Sequence, residues 1–354
     1  MENSNNVKGY LTFSAFSSLR KDTEGIWIRH KRGNGYKPLW EFLNTKNTGW
    51  AIQLDVYSAR LPHGPVYIYY TKDDKGKYVE PRILIVADAD YHIQSVLGLG
   101  LHQSIESSMA LIALEKIESF PGNEKRKKIA HDIALLSRLG DKINNDIELT
   151  KKELRFLYEI DSKIESFYHI ADPKKEELKA KRNIKKDLAY IFGCKEENIG
   201  TNITDFDTNK IIYYYGTLEW EKEFVPDTFK DLKRIIGSAS FPNLTSADGL
   251  NNLQQVDGAN FSSLTNAEGL NNLHNIRGGA IFSNLIYAKG LNNLRNISAQ
   301  AYFPKLTNAE GLNNLQYIGN YAFFSSLKSA KGLNNLKYIG EDANFSSLIS
   351  AQGL

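Results

Sequence analysis

The chain has 354 residues, 42% hydrophobic and 24% charged, the composition of a globular protein long enough for two or three domains. Its formal net charge of +3 gives no global electrostatic reason to expect nucleic acid or an acidic membrane as partner. A single cysteine, Cys194, excludes an internal disulfide and a cysteine-rich zinc site, and no run of 18 apolar residues is present to span a bilayer. The start, Met1-Glu2-Asn3-Ser4-Asn5-Asn6, lacks the basic and apolar segments of a secretory signal. The expected location is therefore the cytoplasm, with secretion without a cleaved signal as the open alternative.

Residues 1–103 read as an α/β front domain. Gly25 to His30 is a strand candidate, and Tyr36 to Asn44 a short helix with Pro38 near its first turn. Val66 to Tyr70 and Arg82 to Val86 are β-branched and aromatic runs, and Asp73-Asp74-Lys75-Gly76 between them predicts a hairpin. Ala87 to Asp90 then turns into a third strand, His92 to Leu97. Residues 104–195 change to helical spacing and predict a bundle packed on that domain. Ile105, Met109, Ile112, Leu114 and Ile117 mark its first helix, and Lys125 to Leu139 fits a second. Thr150-Lys151-Lys152-Glu153 is a capping box for a third. Asp172-Pro173 opens a fourth, expected to run to Phe192 before Gly193. Residues 196–227 form a bridging segment with one strand-like run, Ile211 to Tyr215.

Residues 228–354 repeat themselves. Phe241, Phe261, Phe282, Phe303, Phe324 and Phe345 are 20, 21, 21, 21 and 21 residues apart, and Gly249, Gly269, Gly290, Gly311, Gly332 and Gly353 keep the same steps. Each complete unit reads Phe-x-x-Leu-x-x-Ala-x-Gly-Leu-Asn-Asn-Leu-x-x-Ile, with Val256 for Ile in the first. A fixed period of this size is the signature of a solenoid, whose units bury their apolar faces against one another. The expected fold is an α+β front domain with a helical middle, followed by a leucine-rich-repeat-like β-solenoid.

Ile318-Gly319-Asn320-Tyr321-Ala322-Phe323, followed by Leu327-Lys328-Ser329-Ala330, resembles the signature of BspA-like leucine-rich repeats, and the resemblance covers residues 228–354. The units here are shorter, and Ala and Gly stand where that family has larger strand residues. The resemblance implies adhesion and protein binding rather than catalysis.

The stretch Leu-x-x-Ala-x-Gly is the expected strand, with Leu, Ala and Gly inward. Two outward ladders then follow. One runs Ser246, Asn266, Tyr287, Asn308, Ser329, Ser350, and the other Asp248, Glu268, Lys289, Glu310, Lys331, Gln352. The second alternates in sign through its middle, which sets register and cancels the local field. The paired Asn of each unit are read as side chains that satisfy turn backbone. Ahead of the Phe column stand Asn260, Ile281, Tyr302, Phe323 and Asn344, apolar in the centre and polar at the ends. The candidate binding residues are Tyr287, Tyr302, Phe323, Tyr317 and Tyr338, because interfaces favour such rings.

The front region carries no strong catalytic signature. Gly98-Leu99-Gly100 is too short for a dinucleotide fingerprint, and no two histidines have metalloprotease spacing. Cys194 lacks a visible base and reads as structural. Asn47-Thr48-Gly49-Trp50, Arg60, His63, Tyr67 and Arg82 form the best pocket candidate: Trp50, Arg60, His63, Tyr67 and Arg82. This order over residues 20–190 resembles the front domain of uncharacterised bacterial proteins and, more distantly, the PcfJ-like group of conjugative elements. There a Cys follows the Trp, whereas here Ala51 does, so no catalytic residue is assigned and no cofactor or metal is expected. Lys125 to Lys128 and Lys174 to Lys186 are basic stretches of the kind that usually form solvated helix faces.

The expectation is a non-enzymatic scaffold, of bacterial type by its composition, that binds another protein through its repeats. The alternatives are an effector or mobile-element enzyme whose repeats select the target, and a nucleic-acid-binding protein using the basic helical middle. Because the repeats stop at Gly353-Leu354 without a polar cap, a fragment of a longer array, or self-association through that end, is also expected.

Overall fold

The computed structural model describes residues 23–30, 36–46, 48, 50, 64–99, 105–122, 124–165, 173–208 and 210–351. The chain divides into two compact units, Met1–Arg182 and Asn183–Leu354. No helix among the described residues is long and apolar enough to cross a membrane.

The first unit is built on a four-stranded antiparallel sheet in sequential order: β1 (Gly25–His30), β2 (Val66–Lys72), β3 (Tyr78–Ala87) and β4 (Ile93–Leu97). Alternation sorts its side chains. Val66, Ile68, Tyr70, Leu84 and Val86 pack with Trp50, Leu97 and, from helix α1 (Tyr36–Thr45), Leu39 and Leu43. Tyr67, Tyr69, Ile83 and Ile85 join Ile105, Phe120 and helices α2 (Ala110–Glu118) and α3 (Glu124–Asn144) through Ala113, Ile117, Ile129 and Ile133. Because both faces are covered at the centre of the sheet, β2 and the second half of β3 read as continuous apolar runs, whereas the edge strand β1 leaves Ile26 and Ile28 exposed. Helix α4 (Lys151–Leu157) begins at the expected capping box. There the Glu153 amide donates to Thr150 Oγ1 at 3.3 Å, and the Thr150 amide to Glu153 Oε2 at 2.9 Å.

The expected fourth helix is in fact two, α5 (Pro173–Ala180) and α6 (Ile184–Phe192). The chain turns through Lys181 and Arg182, and Asn183 starts a new helix by accepting the Lys186 amide at 3.0 Å. The interruption coincides with the boundary between the units, so α6 belongs to the second.

The second unit is a parallel β-solenoid of about six turns, with the repeats following a non-repeating entry. In that entry β5 (Ile199–Gly200) pairs with β6 (Tyr213–Tyr215), and β6 and β7 (Leu218–Glu219) pair with β8 (Arg234–Ser240). Phe206, Ile211, Tyr214 and Phe229 from this segment lie in one core with the repeats. After β9 (Gln255–Asn260), each coil contributes two short strands. One series is β10 (Asn275–Ile276), β12 (Asn296–Ile297), β14 (Tyr317–Ile318) and β16 (Tyr338–Ile339). The other is β11 (Ala280–Ile281), β13 (Ala301–Tyr302), β15 (Ala322–Phe323) and β17 (Ala343–Asn344).

The strand expected at Leu-x-x-Ala-x-Gly is therefore displaced. That stretch carries only single parallel bridges, Asn266 to Tyr287, then Asn308, Ser329 and Ser350. The reason lies in its turns. In one coil the Leu285 amide at the start of the stretch bonds to the Phe282 carbonyl and the Leu291 amide just past its end bonds to that of Ala288, so turns close on both sides and only the centre, where the Ile286 amide reaches the Thr265 carbonyl at 2.9 Å, pairs between coils. The inward assignment of Leu, Ala and Gly holds nonetheless, as Leu285, Ala288, Gly290 and Leu291 are buried.

The repeated Phe side chains are fully buried from Phe241 to Phe324, and successive rings from Phe241 to Phe345 stack at 5.0–5.5 Å between centroids. Gly311 has φ +110°, and a Cβ there would lie 2.2 Å from the Ala288 carbonyl oxygen of the preceding coil. Only glycine permits that approach. Asn272, Asn293, Asn314 and Asn335 each donate to the carbonyl of the first Asn of the preceding pair at 2.6–2.7 Å. Each such bond contributes about 1 kcal/mol and ties one coil to the next.

Candidate functional site

Backbone pairing stacks the outward side chains of the repeats into separate strips. On the strip of the first strand series, Arg234, Gln255, Asn275, Asn296, Tyr317 and Tyr338 succeed one another in register. On the strip of the second, the order is Ser240, Asn260, Ile281, Tyr302, Phe323 and Asn344. The single bridges define a third strip, on which Tyr287 stands between Asn266 and Asn308.

The five aromatic candidates are thus distributed over three strips. Tyr317 and Tyr338 stack on the first with centroids 4.9 Å apart and planes 6° from parallel. Tyr302 and Phe323 stack on the second at 5.1 Å and 21°. Tyr287, 58% exposed, stands apart from both pairs on the third. The charged ladder beside it forms two ion pairs, Lys289–Glu268 at 2.5 Å and Lys331–Glu310 at 3.0 Å. The pairing with Glu268 raises the Lys289 pKa, and the pairing with Lys331 lowers that of Glu310.

One strip carries a signal that reading along the chain does not show. Immediately before each strand of the first series stand Lys233, Gln254, His274, Arg295, Gln316 and Lys337. From Gln254 on, each member's amide bonds to the carbonyl of the one before it, at 2.8–3.0 Å, so the six are in register. Arranging the repeats in columns, rather than scanning for motifs, would have exposed this ladder. A groove of about 390 Å³ opens on it, lined by Gln254, Asn272, His274, Asn293 and Arg295.

In the front unit, the pocket candidates do not converge. Trp50 is fully buried, and its indole N–H donates to the Gly98 carbonyl at 3.0 Å. Tyr67 lies in the other side-chain cluster of the sheet, edge-on to Phe120 at 5.2 Å. Arg82 makes a two-pronged contact with Glu106, both bonds 2.9 Å. Arg60 and His63 lie outside the described residues. Asp88, Asp90 and His92 bring potential metal-ligand atoms within 4.8 Å of one another. The Asp88 carboxylate is nevertheless engaged locally, accepting from the amides of Asp90 and His92 and the side chain of Gln94.

The basic stretches are interleaved with acids. Lys127 pairs with Glu124, Lys128 with Asp132, and Lys181 with Glu177. Lys175 and Lys179 are buried and both reach Glu159. Burial, the largest single influence, opposes ionisation of Glu159, but its bonds to Lys175 and the Ile164 amide together with the charges of Lys175 and Lys179 outweigh it and its pKa is lowered. The Cys194 thiol is pushed upward by burial, away from thiolate chemistry.

No protein-family model matches the chain, and neither a curated protein nor a solved structure matches it. The solenoid is a repeat architecture compatible with a protein-binding scaffold.

Proposed function

We infer that the second unit is a protein-binding scaffold whose contact surface is centred on its outward aromatic pairs. The observation that carries this reading is the Tyr317–Tyr338 stack, with the two rings 38% and 50% exposed at the end of an otherwise polar strip. Paired outward rings offer a large rigid surface at low entropic cost, and such residues dominate interface energetics. Tyr302 and Phe323 supply a second platform of the same kind. The resemblance of residues 318–330 to BspA-like repeats supports the same class of role, adhesion and protein contact. A solenoid also presents the same chemistry at successive coils, so one partner can be held at several points.

The test is affinity capture with the intact chain, followed by the double variants Tyr317→Ala/Tyr338→Ala and Tyr302→Ala/Phe323→Ala. A partner held by the wild type should be lost from at least one variant, with the unfolding midpoint nearly unchanged. Undiminished capture by both variants would sink the reading.

A further inference from the structure

The ladder Lys233, Gln254, His274, Arg295, Gln316 and Lys337 contains cations and amides but no carboxylate. The strand column beside it, from Arg234 to Tyr338, contains none either, nor do the Asn pairs bordering it from Asn251 onward; in the coil before them Asp231 holds that position and pairs with Lys210 at 3.1 Å. The other strips differ. Lys289 and Lys331 are answered by Glu268 and Glu310, and Arg277 by Asp257 at 3.5 Å. No ion pair is formed by Lys233, Arg295 or Lys337 among the described residues. In a chain with 44 basic and 41 acidic residues, this strip is therefore segregated by charge, and it holds the groove on which His274 and Arg295 open.

We propose that this strip is the docking groove for an extended acidic segment of the partner protein, lying along the solenoid axis. The proposal rests on the scaffold reading and names the partner's chemistry. Arg295 offers a planar fork suited to a carboxylate, and Lys337 a second cation two coils further on. Between them Gln316, and on the other side Asn293 and Asn272, can both donate to and accept from peptide groups. From Gln254 to Lys337 there are four steps of about 4.8 Å, the reach of about six extended residues. Beyond Asn296 the adjoining column becomes Tyr317 and Tyr338, so the groove runs onto the stacked rings. The spacing favours peptide over nucleic acid. Lys233, Arg295 and Lys337 are separated by Gln254 and His274 and by Gln316, a sparse row that suits a few carboxylates set among peptide groups and leaves a chain with one charge per unit largely unneutralised.

Fluorescence anisotropy of the intact chain tests this with three labelled probes: an alternating Glu-Ser peptide of about eight residues, its Gln-Ser counterpart, and an oligo-dT of similar length. The Glu-Ser peptide should bind, more weakly as salt rises from about 50 to about 200 mM, and the Gln-Ser peptide should bind far less. Arg295→Glu/Lys337→Glu should weaken Glu-Ser binding about tenfold or more, whereas the charge-matched Lys305→Glu/Lys328→Glu on other strips should not. Both double variants lie on the surface, and equal melting temperatures show that folding is intact. Three results overturn the proposal: no binding of the Glu-Ser peptide, equal loss in both variants, or tighter binding of oligo-dT that displaces the peptide. A captured partner that survives Arg295→Glu/Lys337→Glu but not loss of the ring pairs keeps the scaffold reading and removes this one.

Discussion

The two units bury comparable apolar residues in opposite ways. In the front unit each large side chain has a neighbourhood of its own: Trp50 meets Leu39, Leu43 and strand residues, and its one polar group is satisfied by Gly98. In the repeats each core residue meets copies of itself, as when Phe303 lies between Phe282 and Phe324 at 5.0 and 5.2 Å. Polar demands are also met differently. The front unit uses half-buried ion pairs such as Lys142–Glu153 at 2.7 Å, whereas the coils rely mainly on the repeated, uncharged Asn-to-carbonyl bonds, with a buried pair, Arg277–Asp257, beside them. The contrast teaches that repetition solves packing and hydrogen bonding once and copies the answer, leaving the outward positions free to vary. A unique core must solve each contact separately, and its charges make it sensitive to pH.

The strongest attack on this contrast is Phe303→Ala. It removes a fully buried ring from the middle of the stack and should cost about 3–5 kcal/mol by chemical denaturation. A loss below about 1 kcal/mol would mean that neighbouring coils repack freely and the ladder is not the source of stability. Next in size is Gly311→Ala, which forces a side chain at φ +110° against the Ala288 carbonyl. It should cost about 2–4 kcal/mol, with hydrogen exchange rising in the coils on either side. An unchanged exchange pattern would show that adjacent coils are not locked by that approach.

The pH response sharpens the comparison from the other side. Burial holds His30 below its ordinary pKa. It does the same for His131, although Glu118 lies 3.8 Å away, a separation too long for a hydrogen bond to offset desolvation. A folded-state pKa below the unfolded value means that the unfolded chain takes up the proton first. Stability is therefore complete above about pH 6.5 and is lost as pH falls from there through the lower folded pKa. Spectroscopic melts between about pH 7 and pH 5 should show the front-unit transition moving down more than the repeat transition. His131→Gln should reduce that difference. Smallest of all is Lys289→Glu, which places three acids in succession with Glu268 and Glu310. A slight drop in melting temperature, reduced by added salt, is expected. A salt-independent drop would argue against register along that strip.

The sequence by itself determined the repeat. Its period is written in large residues recurring at one interval, and stacking the units buries Phe241 to Phe324 in one column. It also determined the front strands, since β-branched and aromatic runs around a turn leave little choice; Gly25–His30 is found with the bounds its residues predict. The capping box at Thr150 was legible because both its bonds are local. Tertiary structure decided three things that depend on distant partners. Which stretch of each coil forms strands turns on where amides bond, and those of Leu285 and Leu291, at the two ends of the expected stretch, are taken by local turns. Whether Trp50 and Tyr67 share a site depends on which face of the sheet each meets, and they lie in different clusters. Which columns lie on which strip depends on where each coil bends, so five aromatic residues fall on three strips, whereas the stacking of like positions such as Lys233 to Lys337 follows from the period itself. Period is a local property of the chain. It tells which positions stack about 21 residues apart, but the bends of each coil, set by hydrogen bonds that only the folded backbone makes, decide which stacked columns share a surface.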